Sequence, residues 1–96
     1  VDGRERRRVT IRGLVQGVFF RETVRRIALA YEVSGFVRNV ELDCVEVEAE
    51  GERAVLEAFI EHVLNNPPPR ARVDRVHAVA APPTGETGFS VAPTVR

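Results

Sequence analysis

Along this chain the spacing of apolar side chains switches repeatedly between the period of a strand and the period of a helix. That switching restricts the fold more than any single residue does. Arg6 to Leu14 (RRRVTIRGL) alternates, with Val9 and Ile11 set between Arg8, Thr10 and Arg12, and reads as a strand. Phe20, Val24, Ile27, Ala28 and Tyr31 fall at helical spacing, with Arg21, Glu22, Arg25 and Arg26 off that stripe. Ser34-Gly35 is expected to end this helix, as a glycine past the last turn commonly does. Gly35 to Val40 and Asp43 to Glu50 read as two strands joined by a short antiparallel turn. In the second of these, Val45, Val47 and Ala49 share one face and Glu46, Glu48 and Glu50 the other. A second helix follows Gly51, with Val55, Leu56, Phe59, Ile60 and Val63 as its stripe, and Asn65-Asn66-Pro67-Pro68-Pro69 stops it. Ala71 to Val79 gives a fourth strand and Gly88 to Ala92 a short fifth. The order βαββαβ plus an edge strand predicts an α+β sandwich, two helices on one face of an antiparallel sheet.

With 96 residues the chain is expected to form one domain over 1–96, with no linker, low-complexity segment or repeat beyond the weak βαβ duplication. Apolar residues make up 44% and charged ones 29%, the balance of an ordinary soluble protein. No apolar run reaches membrane-spanning length and no signal peptide opens the chain, so the expected location is the cytoplasm. The chain opens on Val1 rather than Met, as a processed, tagged or excised chain would. The lone Cys44 excludes an internal disulfide and a Cys-based metal site, and His62 and His77 show no metal-ligand spacing. All 14 basic residues are arginine, which reads as base composition rather than function. Charge is segregated. Residues 1–26 hold eight arginines against Asp2, Glu5 and Glu22, whereas residues 39–61 hold eight acids against Arg53. An anionic substrate is expected to be drawn to the first stretch.

Residues 14 to 22 (LVQGVFFRE) join the first strand to the first helix. A strand-to-helix turn containing Gly17 can aim several backbone N–H groups at one point, and the helix adds unpaired N–H groups with a partial positive charge. Such a nest suits a phosphate. Arg21, in the first helical turn, could add a two-pronged contact that a lysine could not. Glycine and arginine at a turn also occur with no ligand at all. Asn39 near the hairpin could be a turn-former, or its amide could face the same nest, accepting from a water and donating to an oxyanion.

"GLVQGVFFRETVRRIA" followed by "SGFVRNVELDCVEVEAEG" resembles the acylphosphatase family over nearly the whole chain. Its signature G-x-V-Q-G-V-x-F-R and G-[WF]-V-[RK]-N is intact as Gly13–Arg21 and Gly35–Asn39. The resemblance implies a ferredoxin-like fold and hydrolysis of the carboxyl–phosphate bond of acyl phosphates without metal or cofactor. It implies that the backbone N–H groups of Gln16, Gly17, Val18, Phe19, Phe20 and Arg21 cradle the phosphate. Arg21 would then clamp it and Asn39 would orient the attacking water, with no side chain as general base. The implied partner is a small-molecule acyl phosphate, and the chain is expected to be a monomer that binds neither nucleic acid nor membrane. The hairpin turn departs from the family in having Leu42-Asp43 where Asp-Gly is usual, at a place where a glycine could be needed for positive φ. "NPPPRARVDRV" and "TGETGFSVAPT" look more like the acylphosphatase-like domain of the carbamoyltransferase that matures [NiFe] hydrogenases, which points to carbamoyl phosphate as an alternative substrate. Phe19-Phe20-Arg21-Glu22 resembles the stand-alone enzymes instead.

The remaining features have plainer readings. Arg4 to Arg8 is expected to be a solvated arm or edge strand, His62 and His77 structural or surface residues, and Tyr31 and Phe59 part of the core. Cys44 is expected on the face opposite Val45 and Val47, with no role. An RNA-recognition module shares the element order, but neither face of the third strand offers bases a stacking surface. A regulatory ligand-binding module would pair subunits edge to edge and need no Arg21–Asn39 pair, whereas a phosphate-binding module without catalysis would keep both residues; phosphate binding that depends on Arg21 is the discriminator from the regulatory module.

Overall fold

A computed structural model describes residues 3–96, so Val1 and Asp2 lie outside the described residues. The strands are β1 (Arg4–Leu14), β2 (Ser34–Val40), β3 (Cys44–Glu52), β4 (Arg72–Ala81) and β5 (Phe89–Val91), and the helices are α1 (Phe20–Ala28) and α2 (Arg53–Asn65). They form one sheet in the order β4-β1-β3-β2-β5. The alternation in β3 does what its pattern predicts. Val45, Val47 and Ala49 meet Val9, Ile11 and Val37 beneath the helices, whose Phe20, Val24, Leu56, Phe59 and Val63 complete the core. α1 lies against β2 and β5, and α2 against β3 and β1. No helix among the described residues is long and apolar enough to cross a membrane.

Three expectations are corrected. α1 stops at Ala28, before Ser34-Gly35, because its last turn tightens: Leu29, Ala30 and Tyr31 donate to carbonyls only three residues back. Tyr31 therefore lies past the helix, edge-on to Phe59 with ring centres 5.9 Å apart, and its hydroxyl meets His62 Nδ1 at 2.9 Å. Gly35 sits inside β2 with φ 139°, and a Cβ there would lie 1.9 Å from the Glu48 carbonyl oxygen. This glycine permits close approach of two strands and does not cap a helix. The sheet is also mixed rather than antiparallel. The chain leaves β4 at one edge, crosses through residues 82–88 to the far edge, and runs as β5 parallel to β2.

That crossing explains the third correction. β1 is flanked on both sides, and Arg6 is only 3% exposed rather than part of a solvated arm or edge strand. The β1–β3 register sets Arg6 opposite Glu50 and Arg8 opposite Glu48 on the face away from the helices. Arg6 Nη1 donates to Glu50 at 3.0 Å, Arg6 also pairs with Glu48, and Arg8 Nε donates to Glu48 at 3.0 Å. The crossing loop closes over them: the Thr84 and Gly85 N–H groups donate to Glu50 at 2.7 and 2.9 Å, and Glu86 pairs with Arg6 at 2.6 Å. The charge segregation along the chain is thus largely cancelled across a strand pair, and most of the arginine-rich stretch is not available to draw in an anion.

Burial pushes the Glu50 carboxyl up, but the Thr84 and Gly85 N–H groups and the guanidinium groups of Arg4 and Arg6 outweigh it and hold the pKa at about 2. A carboxylate depressed from 4.5 in the folded state stabilises the fold fully above the unfolded pKa, and loses that contribution as pH falls toward 2. Urea melts are therefore expected to show stability falling between about pH 4.5 and pH 2. Glu50→Gln, which removes the buried charge facing Arg4 and Arg6 while Arg6 keeps Glu48 and Glu86, should cost about 2 kcal/mol at pH 7 and flatten that acid limb. An unchanged acid limb in the variant would remove Glu50 as its cause.

Candidate active site

Residues 15–19 leave the end of β1 and enter α1 between two buried side chains, Val15 and Phe20, that fix the loop at both ends. Gly17 has φ 73° and Phe19 φ 65°, both left-handed, so the backbone reverses handedness as it enters the helix. Thr23 closes the first turn by donating from its N–H and its hydroxyl to the Phe19 carbonyl at 3.0 and 2.9 Å. The N–H groups of Phe20, Arg21 and Glu22 precede the first helical donor and have no helical acceptor. They open on a cleft of about 390 Å³ lined by Val15, Gly17, Phe19, Phe20, Arg21, Glu22 and Val91. The helix end makes this cleft electropositive.

The charges around it are unequal in their commitments. Glu22 accepts from Arg25 Nε and Nη2 at 2.8 and 2.7 Å and from Arg26 Nε at 3.1 Å. These bonds, with Arg25 first, hold its pKa at about 2. A carboxylate so weakly basic and so fully engaged is a poor general base near neutral pH. Arg4, Arg6, Arg7, Arg8 and Arg12 pair with carboxylates elsewhere. Among the described residues of the arginine-rich stretch, Arg21 alone has no carboxylate partner. It stands half-buried at the positive end of a helix, where a cation is disfavoured unless an anion joins it.

Asn39 lies in β2 opposite Val45, on the helix side of the sheet with Val37. It is 8% exposed, and its Oδ1 is buried and accepts no hydrogen bond from the described residues. A buried acceptor left open is costly unless something else fills it. Gln16 ties this strand end to the loop of residues 15–19. Its side chain leaves the cleft and donates from Nε2 to the carbonyls of Val40, Glu41 and Cys44 at 3.4, 3.1 and 2.9 Å. The loop of the first motif is thereby tied to the hairpin of the second, one residue from Asn39. The chain's last residues hold the other side. Val95 N–H donates to the Asn39 carbonyl at 2.9 Å, and Glu41 N–H donates to the Val95 carbonyl at 2.7 Å. In this turn the positive φ falls on Glu41, at 56°, and not on Asp43, so the absent glycine costs nothing at the position expected to need it.

Of the sequence candidates, Gly17, Phe19, Phe20 and Arg21 line the cleft. Gln16 braces it through its side chain, and Val18 packs against the core. Val91 and Val95 were invisible to sequence reasoning, because parallel pairing beside β2 leaves no local pattern. Among the described residues no three His, Cys, Asp or Glu side chains group as a metal site.

The family model for acylphosphatase matches residues 7–91. The chain belongs to the acylphosphatase family. It is 42% identical over 87 residues to the acylphosphatase of Roseiflexus sp. (strain RS-1), covering 90% of this chain and 92% of that one. It is 40% identical to that of Aeropyrum pernix, covering 94% and 90%. Among solved structures, an acylphosphatase from Coxiella burnetii superposes with TM-score 0.85 at 34% identity, covering 94% of each chain. Full-length HypF in its phosphate- and nucleotide-bound form superposes with TM-score 0.90 at 31% identity. That match takes in 99% of this chain but only 13% of HypF.

Proposed function

We propose that this acylphosphatase-family chain hydrolyses acyl phosphates, with the residue 16–21 backbone as phosphate cradle, Arg21 as clamp and Asn39 as holder of the attacking water. The single observation that carries this is the partnerless Arg21 guanidinium in a cleft walled by unpaired helix N–H groups. An anion with several oxygens satisfies all of these donors at once. Water attacks phosphorus in line, and the bond from phosphorus to the carboxyl oxygen breaks. The carboxylate departs with the bonding electrons, and the water's protons remain on the phosphate until exchanged with solvent. Because a carboxylate leaves readily, positioning and charge stabilisation suffice, in keeping with a site whose acid, Glu22, is held as a paired carboxylate.

Purified protein is expected to hydrolyse benzoyl phosphate with EDTA present, and inorganic phosphate should inhibit competitively. A folded protein that turns over no acyl phosphate would overturn this reading. The resemblance of the C-terminal segments to the domain of the hydrogenase-maturing carbamoyltransferase makes carbamoyl phosphate the alternative substrate. A kcat/KM for carbamoyl phosphate above that for benzoyl phosphate would establish it as the preferred one.

A further inference from the structure

Phe19 is poorly suited to the place it holds in the fold. It caps α1 without any side-chain acceptor for the helix N–H groups, where Ser, Thr, Asp or Asn would serve. It also holds φ 65°, a conformation that suits glycine and strains an aromatic residue. Packing does not compensate, since Phe19 is 82% exposed. Both costs fall on the residue that borders the phosphate cradle, and its position lines the same cleft as Arg21. Val91 of β5 lines the same cleft, 41% exposed although it is apolar.

We infer that Phe19 and Val91 form the wall against which the acyl group of the substrate lies, so that they set specificity for extended apolar, above all aryl, acyl groups. This rests on the proposed phosphate site. A phosphate held by the backbone of residues 16–21 directs its acyl substituent out of the cradle, along the cleft that these two side chains border. An aromatic acyl group gains ring contact and buries apolar surface there. An acetyl group reaches less of the wall, and a carbamoyl group offers polar N–H bonds to a surface that cannot accept them.

The test is a ratio, kcat/KM for benzoyl phosphate over that for acetyl phosphate. Phe19→Gly keeps the left-handed backbone that the loop requires and removes only the ring. It should lower the ratio about tenfold. Val91→Thr, which preserves shape, should lower it about threefold, and Phe19→Leu should fall between wild type and Phe19→Gly. A binding readout stands apart from turnover. Phe19→Gly should weaken phenylphosphonate about tenfold relative to inorganic phosphate, measured by calorimetry. An unchanged ratio in an active Phe19→Gly protein would overturn the wall while leaving the hydrolase reading intact. Equal losses for both substrates would also overturn it, because the ring would then act only through the loop. Unaltered phenylphosphonate selectivity would overturn it even in a protein without turnover.

Discussion

Arg21→Ala is expected to lower kcat/KM for benzoyl phosphate about a thousandfold and to abolish inhibition by inorganic phosphate at millimolar concentration. The magnitude follows from what one preorganised cationic donor contributes where charge shifts in a phosphoryl transfer. The site shows why no neighbour can substitute. Arg25 and Arg26 carry the same charge on the same helix, but both are bound to Glu22 and point their donors there. Moving either to the cleft would break a charge-assisted bond to make another. Arg21→Lys is expected to recover little, since an ammonium cannot present two parallel donors to two oxygens. Stability should hardly change, because Arg21 makes no ion pair that folding depends on. A loss under tenfold in a variant with wild-type melting would remove Arg21 as the clamp and leave the helix N–H groups as the main binding element.

Arg21 also shows why part of this site could be read from sequence and part could not. The motif from Gly13 to Arg21 is contiguous. The turn, the helix start and the arginine's place in the first turn all follow from local spacing. The same holds for the stripe of α2 and the alternation of β3, each of which the fold reproduces. What local pattern could not reveal is which arginine is free. That depends on register: only when Arg8 is set opposite Glu48 and Arg6 opposite Glu50 do the charges of β1 vanish into β3. The loop across residues 82–88 and the parallel β5 are equally non-local, and with them go the burial of Arg6 and the wall residue Val91. Gln16 is an intermediate case. Its presence in the motif is legible, but the work of its side chain, which serves three carbonyls across the hairpin, is not. Gly35 was misread for a physical reason of the same kind. Its positive φ answers to the Glu48 carbonyl, which comes beside it only through the β2–β3 pairing.

For Asn39→Ala, kcat is expected to fall about a hundredfold while the inhibition constant of inorganic phosphate stays within about threefold of wild type. The two readouts separate because the residue and the cradle reach the substrate differently. In the proposed site the cradle and Arg21 hold oxygens that are present in substrate and product alike. Asn39 Oδ1 is an acceptor, so it repels a phosphate oxygen and can only receive a proton donor, for which the attacking water is the available species. Its position is fixed from both edges of β2, by β3 through the Val45 pairing and by the Val95 backbone bonds, so little entropy remains to be lost when the water is aligned. Asn39→Asp is the sharper variant. It keeps the acceptor and the shape but adds a negative charge beside a phosphate, so phosphate affinity should fall along with kcat at neutral pH. If Asn39→Ala loses phosphate affinity in step with rate, the amide donates to phosphate through its nitrogen, and the water must be held by other groups. If kcat alone falls, the buried Oδ1 is explained by the water it turns toward phosphorus.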